Sequence, residues 1–389
     1  MENSRKLGKA RKGQRDRLSR LPGPIIHHIL SFLDTKFAVQ TSVLSRAWRC
    51  AWKHVPVLNL DKTSFEQYSS FIRFVDNVLS LRYPLRLREV SFIDSGTWVV
   101  VSFMNNGIMD EQGEREEHRL YARVIGYALL HDAQHIAIDL DSGEEPECSP
   151  DFFHLFGSVT KSNIETLQLR AVSFRNSQYS GFGSVTTLDL YYCWVTDLDV
   201  FSDSNFPCLE NLVMEECRCY KYTRTETISG LNLVSLKLFP VPSQRLEIRA
   251  PKLNFLSLAF RLEVKLLKSS LPSLEHAEIR LGIFFRFDPD DIEKLQFLSL
   301  FQDLHNVESL TLHHLTIERF FYAQALSQIS EILEEQPSPF TRLKCLKLQS
   351  NNVPYNVVDY FLKGSPNTEP HIEFLGKVVN RRFPYEYDF

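Results

Sequence analysis

Cys217 and Cys219, the pairs His27-His28 and His313-His314, and many Asp and Glu residues are the side chains of this 389-residue sequence that could ligate a metal or move a proton. Their spacing serves neither purpose. A Cys-x-Cys pair with no second pair downstream lacks the pattern of a zinc site. Adjacent histidines on one helix or strand point in different directions and do not form a chelate. No Gly-rich phosphate loop is present and no catalytic constellation stands above chance, so neither enzymatic activity nor a cofactor is expected. What remains is the chemistry of contact. Arg170, Tyr191, Phe239, Arg280 and His313 are of the types that dominate protein interfaces, and they recur at one position of a repeated pattern.

That pattern is a large apolar residue, two free positions, an apolar residue, one free position and an apolar residue. It occurs as Ile164-Leu167-Leu169, Val185-Leu188-Leu190, Leu209-Leu212-Met214 and Leu233-Leu236-Leu238, then as Leu253-Leu256-Leu258, Leu274-Ala277-Ile279, Val307-Leu310-Leu312 and Leu343-Leu346-Leu348. Successive starts are 21, 24, 24, 20, 21, 33 and 36 residues apart. Leu87-Val90-Phe92 and the run from Ile136 to Leu140 fit as earlier members. This is the leucine-rich-repeat signature. The last two apolar residues of each unit share one side of a strand, and each strand pairs in parallel with the next. The expected fold class is α/β: an N-terminal helical cluster, then an irregular leucine-rich-repeat solenoid with parallel strands on its concave face.

The short gaps leave room for loops or short helical turns. The long ones hold helices, one opened by Asp288-Pro289 and one over about 318–335. The repeats lack a regular Asn or Cys ladder. Further expectations are strands at 57–61 and 98–103, an amphipathic helix over 65–81, a helix from Val357 closed by Gly364, and a last strand at 370–375. The polar stretches 107–118 and 139–147 read as surface loops, or as acidic lures for a basic partner.

The outward positions of the strands form two columns. The one just after each last apolar residue reads Arg170, Tyr191, Glu215, Phe239, Ala259, Arg280, His313 and Gln349. The central one runs Gln168, Asp189, Val213, Lys237, Ser257, Glu278, Thr311 and Lys347. The candidate substrate surface is Arg170, Tyr191, Phe239, Arg280 and His313.

Ahead of the repeats, residues 16–57 carry more apolar surface than so short a segment buries by itself. Ile25, Ile29 and Leu33 lie at i, i+4, i+8, with Ile26 and Leu30 beside them. Thr35 is placed to cap a second helix, and Leu44, Trp48 and Trp52 repeat at i+4. The surplus implies either a partner or padding against the next domain.

The words LPGPIIHHILSFL, TKFAVQTSVLSRAW, a second Trp and VP resemble an F-box of the plant type. The phrases from Arg245 to Leu253 and from Phe361 to Asn367 look like plant F-box/leucine-rich-repeat proteins. The resemblance implies docking to a Skp-family adaptor, and through it to cullin and RING subunits, with adaptor contacts at Leu21, Pro22, Ile25, Ile29, Leu30, Val43, Leu44, Ser45 and Trp48. Leu33 and Trp52 look like internal glue. Gly23-Pro24 stands where the family usually has an acidic pair, and Asp34 where a Pro is common. The implied role is the substrate-recognition subunit of an SCF-type ubiquitin ligase acting on a protein substrate not named by the sequence. The alternatives are a scaffold without ubiquitin transfer and a ligand-gated sensor.

The expected domains are a disordered basic leader (1–15), the F-box (16–57) and the repeat domain (58–389), with its clearest repeats at 163–350 and a cap at about 354–389. Residues 1–20 carry a net +6, which leaves −10 on the rest of a chain of net charge −4. The leader reads as a solvated tail, a nuclear address or a weak nucleic-acid tether. No folded basic face with stacking aromatics is legible, so nucleic acid is not an expected partner. No apolar run reaches the ~18 residues of a membrane span. Seven scattered cysteines suit reduced thiols and a cytoplasmic or nuclear location.

Overall fold

The computed structural model describes residues 18–94, 111–140, 151, 152, 156, 162–175, 179–219, 225–241, 245–260, 265–267, 271–281, 300–321, 338–350, 355–365 and 368–373. The expected leader, the strand at 98–103 and most of the two helices in the long gaps lie outside these residues. The chain forms two compact units, 1–143 and 144–389.

In the first unit, α1 (Gly23–Leu30) starts on Pro22, whose carbonyl accepts from the Ile25 and Ile26 N–H groups at 3.0 and 3.1 Å. Pro24 sits in the first turn, where its missing N–H leaves no bond unmade. The second helix, α2 (Thr35–Gln40), is capped by Asp34 instead of Thr35: the carboxylate accepts from Lys36 N–H at 2.6 Å. Thr35 is buried, and its hydroxyl accepts from Asn59 N–H at 2.9 Å. Beyond α2 the expected i+4 helix gives way to 3-10 turns at Thr41–Val43 and Ala51–His54. Thr41, Ser42, Val43 and Ser45 are poor helix formers, and the Thr41 hydroxyl competes by bonding back to Ala38 O at 2.6 Å.

The strand Val57–Asp61 follows at once, paired in parallel with Glu89–Ile93, which pairs with His135–Asp139. Two helices cover this ladder. Helix α3 (Tyr68–Leu81) buries Phe71, Val75 and Val78. It starts later than expected because Asp61 caps a 3-10 turn at Lys62–Ser64. The second, α4 (Glu111–Leu130), buries Leu120, Val124 and Ala128. Residues 111–118, expected as a loop, belong to this helix, since Glu, Gln and Arg are good helix formers despite their charge. Buried Arg82 ties the N-terminal helices to α3 by donating to the Trp52 carbonyl at 3.3 Å and to the Val55 carbonyl.

Among the described residues, the main ladder of the second unit consists of nine parallel strands: Thr166–Arg170, Thr187–Tyr191, Asn211–Glu215, Ser235–Phe239, Phe255–Phe260, His276–Leu281, Ser309–His313, Cys345–Gln349 and Glu369–Glu373. Their registers align the repeat: Leu167, Leu188, Leu212, Leu236, Leu256, Ala277, Leu310 and Leu346 stand on one line and all are buried. The 20- to 24-residue gaps contain more than the expected turns. They supply two small parallel ladders, one of Ser173–Phe174, Trp194–Val195 and Arg218–Cys219, the other of Thr225–Ser229, Arg245–Arg249 and Lys265–Leu267.

One turn recurs after three strands. Ala171, Tyr192 and Glu216 are left-handed, with φ of 55°, 54° and 52°. Each donates its N–H to the last carbonyl of the next strand, on Tyr191, Glu215 and Phe239. Two cysteines follow in this turn, so a short Cys ladder does exist: the Cys193 thiol lies 3.5 Å from Leu169 O and that of Cys217 3.5 Å from Leu190 O. Burial pushes the Cys217 thiol pKa up. Behind the strands, Phe152 contacts Phe156, Phe174, Tyr179 and Phe182 at 4.7–5.1 Å between ring centres, and Phe301, Phe340 and Phe361 form a second cluster.

Two more helices, α5 (His314–Phe321) and α6 (Tyr355–Leu362), pack in the last repeats. Gly364 follows α6 but lacks the positive φ expected of a closing glycine; it is needed for close approach, because a Cβ there would lie 2.6 Å from Phe340 O. Gly364→Ala is expected to destabilise the second unit by about 1–3 kcal/mol, the usual cost of overpacking. A urea midpoint equal to that of the parent would show that the Phe340 backbone gives way freely.

Candidate protein-docking surfaces

The N-terminal helices expose a set of large apolar side chains. Val43 is 88% exposed, Phe32 74% and Phe37 53%, and Ile25, Ile29 and Leu44 are also open to solvent. Pro22 is exposed, while Leu21 and Ser45 are half-buried. Two of the nine implied adaptor contacts fall elsewhere. Leu30 is buried, and Trp48 is 2% exposed with its indole N–H donating to Leu18 O at 3.1 Å. Both hold the helices together and offer nothing to a partner in this arrangement. Trp52 is buried as internal glue and Leu33 half-buried. Phe32 and Phe37 were not among the implied contacts. Their signal was available: Phe32 lies three residues after Ile29, and Phe37 turns away from buried Ala38.

At the far side of α1, His27 stacks on His54 at 5.5 Å, and His54 contacts Tyr83 at 4.5 Å. Burial and the neighbouring His54 lower the His27 pKa. The ring stack braces α1 against the 3-10 turn at Ala51–His54.

In the second unit, the strands gather the candidate substrate residues into two groups. The Arg170 guanidinium lies 4.5 Å from the Tyr191 ring centre on the next strand. Arg280 reaches back across the Ala259 strand to lie 5.3 Å from the Phe239 ring centre. His313 Nε2 bonds Glu278 Oε1 at 2.5 Å and lies 3.4 Å from Arg280 Nη2, which is 3.7 Å from the same carboxylate. Ser257 Oγ donates to Glu278 Oε2 at 2.7 Å. Arg280 and His313 are therefore organised by Glu278. That residue belongs to the central column but was not singled out, and its signal is its outward parity between buried Ala277 and Ile279. The His313 hydrogen bond, then the Ser257 and Arg280 contacts, outweigh burial and hold the Glu278 pKa down at about 2. Burial pushes Asp189 the other way, against the pull of Lys237.

Among the described residues, no group of three or more His, Cys, Asp or Glu side chains is placed to hold a metal, and no helix is long and apolar enough to cross a membrane.

Residues 18–60, which carry the exposed apolar set, match the F-box domain family. An FBD-associated F-box protein of Arabidopsis thaliana is 26% identical over 369 residues, covering 90% of this chain and 75% of that protein. F-box/LRR-repeat protein 13 of the same plant shows the same identity over the same shares. F-box/LRR-repeat protein 25 is 27% identical over 250 residues, 62% of this chain and 85% of its own length. Over most of its length the chain is similar to plant F-box/leucine-rich-repeat proteins. F-box domains in general bind Skp-type adaptors of SCF complexes, and F-box/LRR proteins are typically substrate receptors, not enzymes.

Two outcomes check these placements. Trp48→Ala should destabilise the first unit by about 3–5 kcal/mol, whereas exposed Val43→Asp should shift stability by no more than about 0.5 kcal/mol; equal thermal shifts would contradict the assignment of Trp48 to the core. Glu278 has a folded pKa below its usual 4.5, so its contribution to stability is complete above pH 4.5 and lost as pH falls toward about 2. Glu278→Gln should therefore lower stability at neutral pH and approach the parent below pH 3, as read from urea midpoints across that range.

Proposed function

We propose that this protein is the substrate-recruiting subunit of an SCF-type cullin–RING ubiquitin ligase. The observation that carries the reading is the exposed apolar set on α1, α2 and the turn after α2, within the residues that match an F-box. Six large apolar side chains left open on a segment of about forty residues suit a surface that is covered in a complex.

In this reading Pro22, Ile25, Ile29, Val43 and Leu44 meet the Skp-family adaptor, with Leu21 and Ser45 at the margin. Phe32 and Phe37 extend the contact. Leu30 and Trp48 act from beneath by fixing the helices. The outward strand face recruits a protein substrate through Arg170, Tyr191, Phe239, Arg280 and His313. The protein then contributes proximity, raising the effective concentration of a substrate lysine near a charged conjugating enzyme. It contributes no catalytic group and needs no cofactor.

Ile25→Asp with Val43→Asp should abolish co-purification with a Skp-family adaptor and cullin while the protein keeps its thermal midpoint. Retention of the adaptor by this folded variant would refute the placement of the docking face. Separately, Tyr191→Ala with Arg280→Ala should deplete the proteins captured in a substrate-trapping pull-down without affecting adaptor binding; an unchanged capture profile would remove the strand face from substrate recruitment.

A further inference from the structure

The charge on the recruiting face is unevenly distributed along the ladder. From the strand Ser235–Phe239 to the strand Cys345–Gln349, its two outward columns carry Lys237, Arg280 and Lys347 against a single carboxylate, Glu278. That carboxylate is already engaged: Ser257 donates to one oxygen, and His313 and Arg280 face the other. Its charge is spent on organising its neighbours. On the two preceding strands the sign reverses at Asp189 and Glu215. At the leading ends of the strands Glu210 and Glu275 are exposed, while Glu308 is neutralised by Arg342 and Lys344. A cationic strip is thus bounded along the ladder by the negative charge of Asp189 and Glu215.

Arg280 is the centre of the strip. Its guanidinium rests on the Phe239 ring, its contacts to Glu278 and His313 fall on Nη2, and 42% of the side chain stays exposed. Its Nε is buried without a hydrogen-bond partner. A guanidinium stacked on an aromatic face and steered by a fixed carboxylate has lost much of its rotamer freedom before anything binds, which lowers the entropic cost of pairing with a carboxylate.

We infer that this strip, within the recruiting face proposed above, takes an acidic linear segment of the substrate, with one of its carboxylates paired to Arg280 and a second near Lys237. Four strand spacings separate the strands of Lys237 and Lys347, about 19 Å at ~4.8 Å each. An extended segment of about six residues spans that distance. Glu215 and Asp189 repel the same segment if it shifts along the ladder, so the reversal of sign sets its register. His313, bonded to Glu278, keeps the carboxylate aimed at Arg280 and is a positioning residue.

The test uses the full chain, with and without a Skp-family adaptor, and fluorescein-labelled hexaglutamate, hexaglutamine and hexalysine as probes, read by fluorescence anisotropy. The basic residues 5–20 attract hexaglutamate on their own, so the readout is the difference between the parent and Arg280→Gln. Hexaglutamate should bind the parent about tenfold more tightly than it binds Arg280→Gln, with Arg280→Lys in between because it keeps the charge and loses the fork. Lys237→Gln should weaken binding less, and hexaglutamine should show no dependence on residue 280. Equal affinity of the parent and Arg280→Gln for hexaglutamate, or tighter binding of hexalysine than hexaglutamate, overturns the inference. Equal melting temperatures of parent and variants exclude misfolding as the cause. Adaptor co-purification reports on the receptor reading separately: an adaptor that fails to bind while hexaglutamate still distinguishes residue 280 sinks that reading and leaves the site standing.

Discussion

Parallel pairing without a shift of register is the constraint on which the rest of this protein depends. A strand's side chains alternate between two faces, so a slip of one residue would move every inward leucine to solvent and every outward Arg, Tyr or His into the core. From strand to strand the structure keeps Leu167, Leu188 and Leu212 on one line and Gln168, Asp189 and Val213 on the next. The recurrent left-handed turn at Ala171, Tyr192 and Glu216 serves the same end. Its N–H reaches the neighbouring strand's last carbonyl and fixes where each strand stops. Non-glycine residues in that region cost free energy, and the cost is accepted because a hydrogen bond is made each time the turn recurs.

The first unit applies the same ladder to a different problem. A helical cluster of about forty residues is marginal alone, and here it shares its core with the strand Val57–Asp61 and with α3. Arg82 satisfies the carbonyls of Trp52 and Val55, and Asn59 N–H reaches Thr35. The helices thereby gain enough support to leave Ile25, Phe32, Phe37 and Val43 uncovered. A docking surface of that kind requires stability supplied from elsewhere, and the ladder supplies it.

Much of this was legible in the sequence, for a physical reason. The repeat is a period-two signal with a fixed offset, and burial of both apolar positions leaves little freedom in where the strands lie. The outward columns followed from parity alone. What was not legible depended on contacts between residues distant in sequence. Trp48 has the residue type of an interface anchor, and its burial and its hydrogen bond to Leu18 O show that it faces inward. The left-handed turns are occupied by Ala, Tyr and Glu, so no glycine announced them. The charged start of α4 resembles a loop in the sequence because its polarity conceals good helix propensity. The role of Glu278 emerged from three partners, Ser257, Arg280 and His313, that lie 21, 2 and 35 residues away.

The alternation that builds the ladder also separates two kinds of selection. Exchanging Leu256 or Leu258 disturbs packing on both neighbouring strands, whereas most outward positions touch few atoms of the core. Drift at the outward positions can therefore retarget the surface without endangering the fold. A duplicated gene of this architecture starts with a stable frame and a rewritable face, and new specificities become accessible through substitutions that the core does not register. The aromatic clusters around Phe152 and Phe301 mark where this freedom ends, since there a changed repeat must be matched by its neighbours.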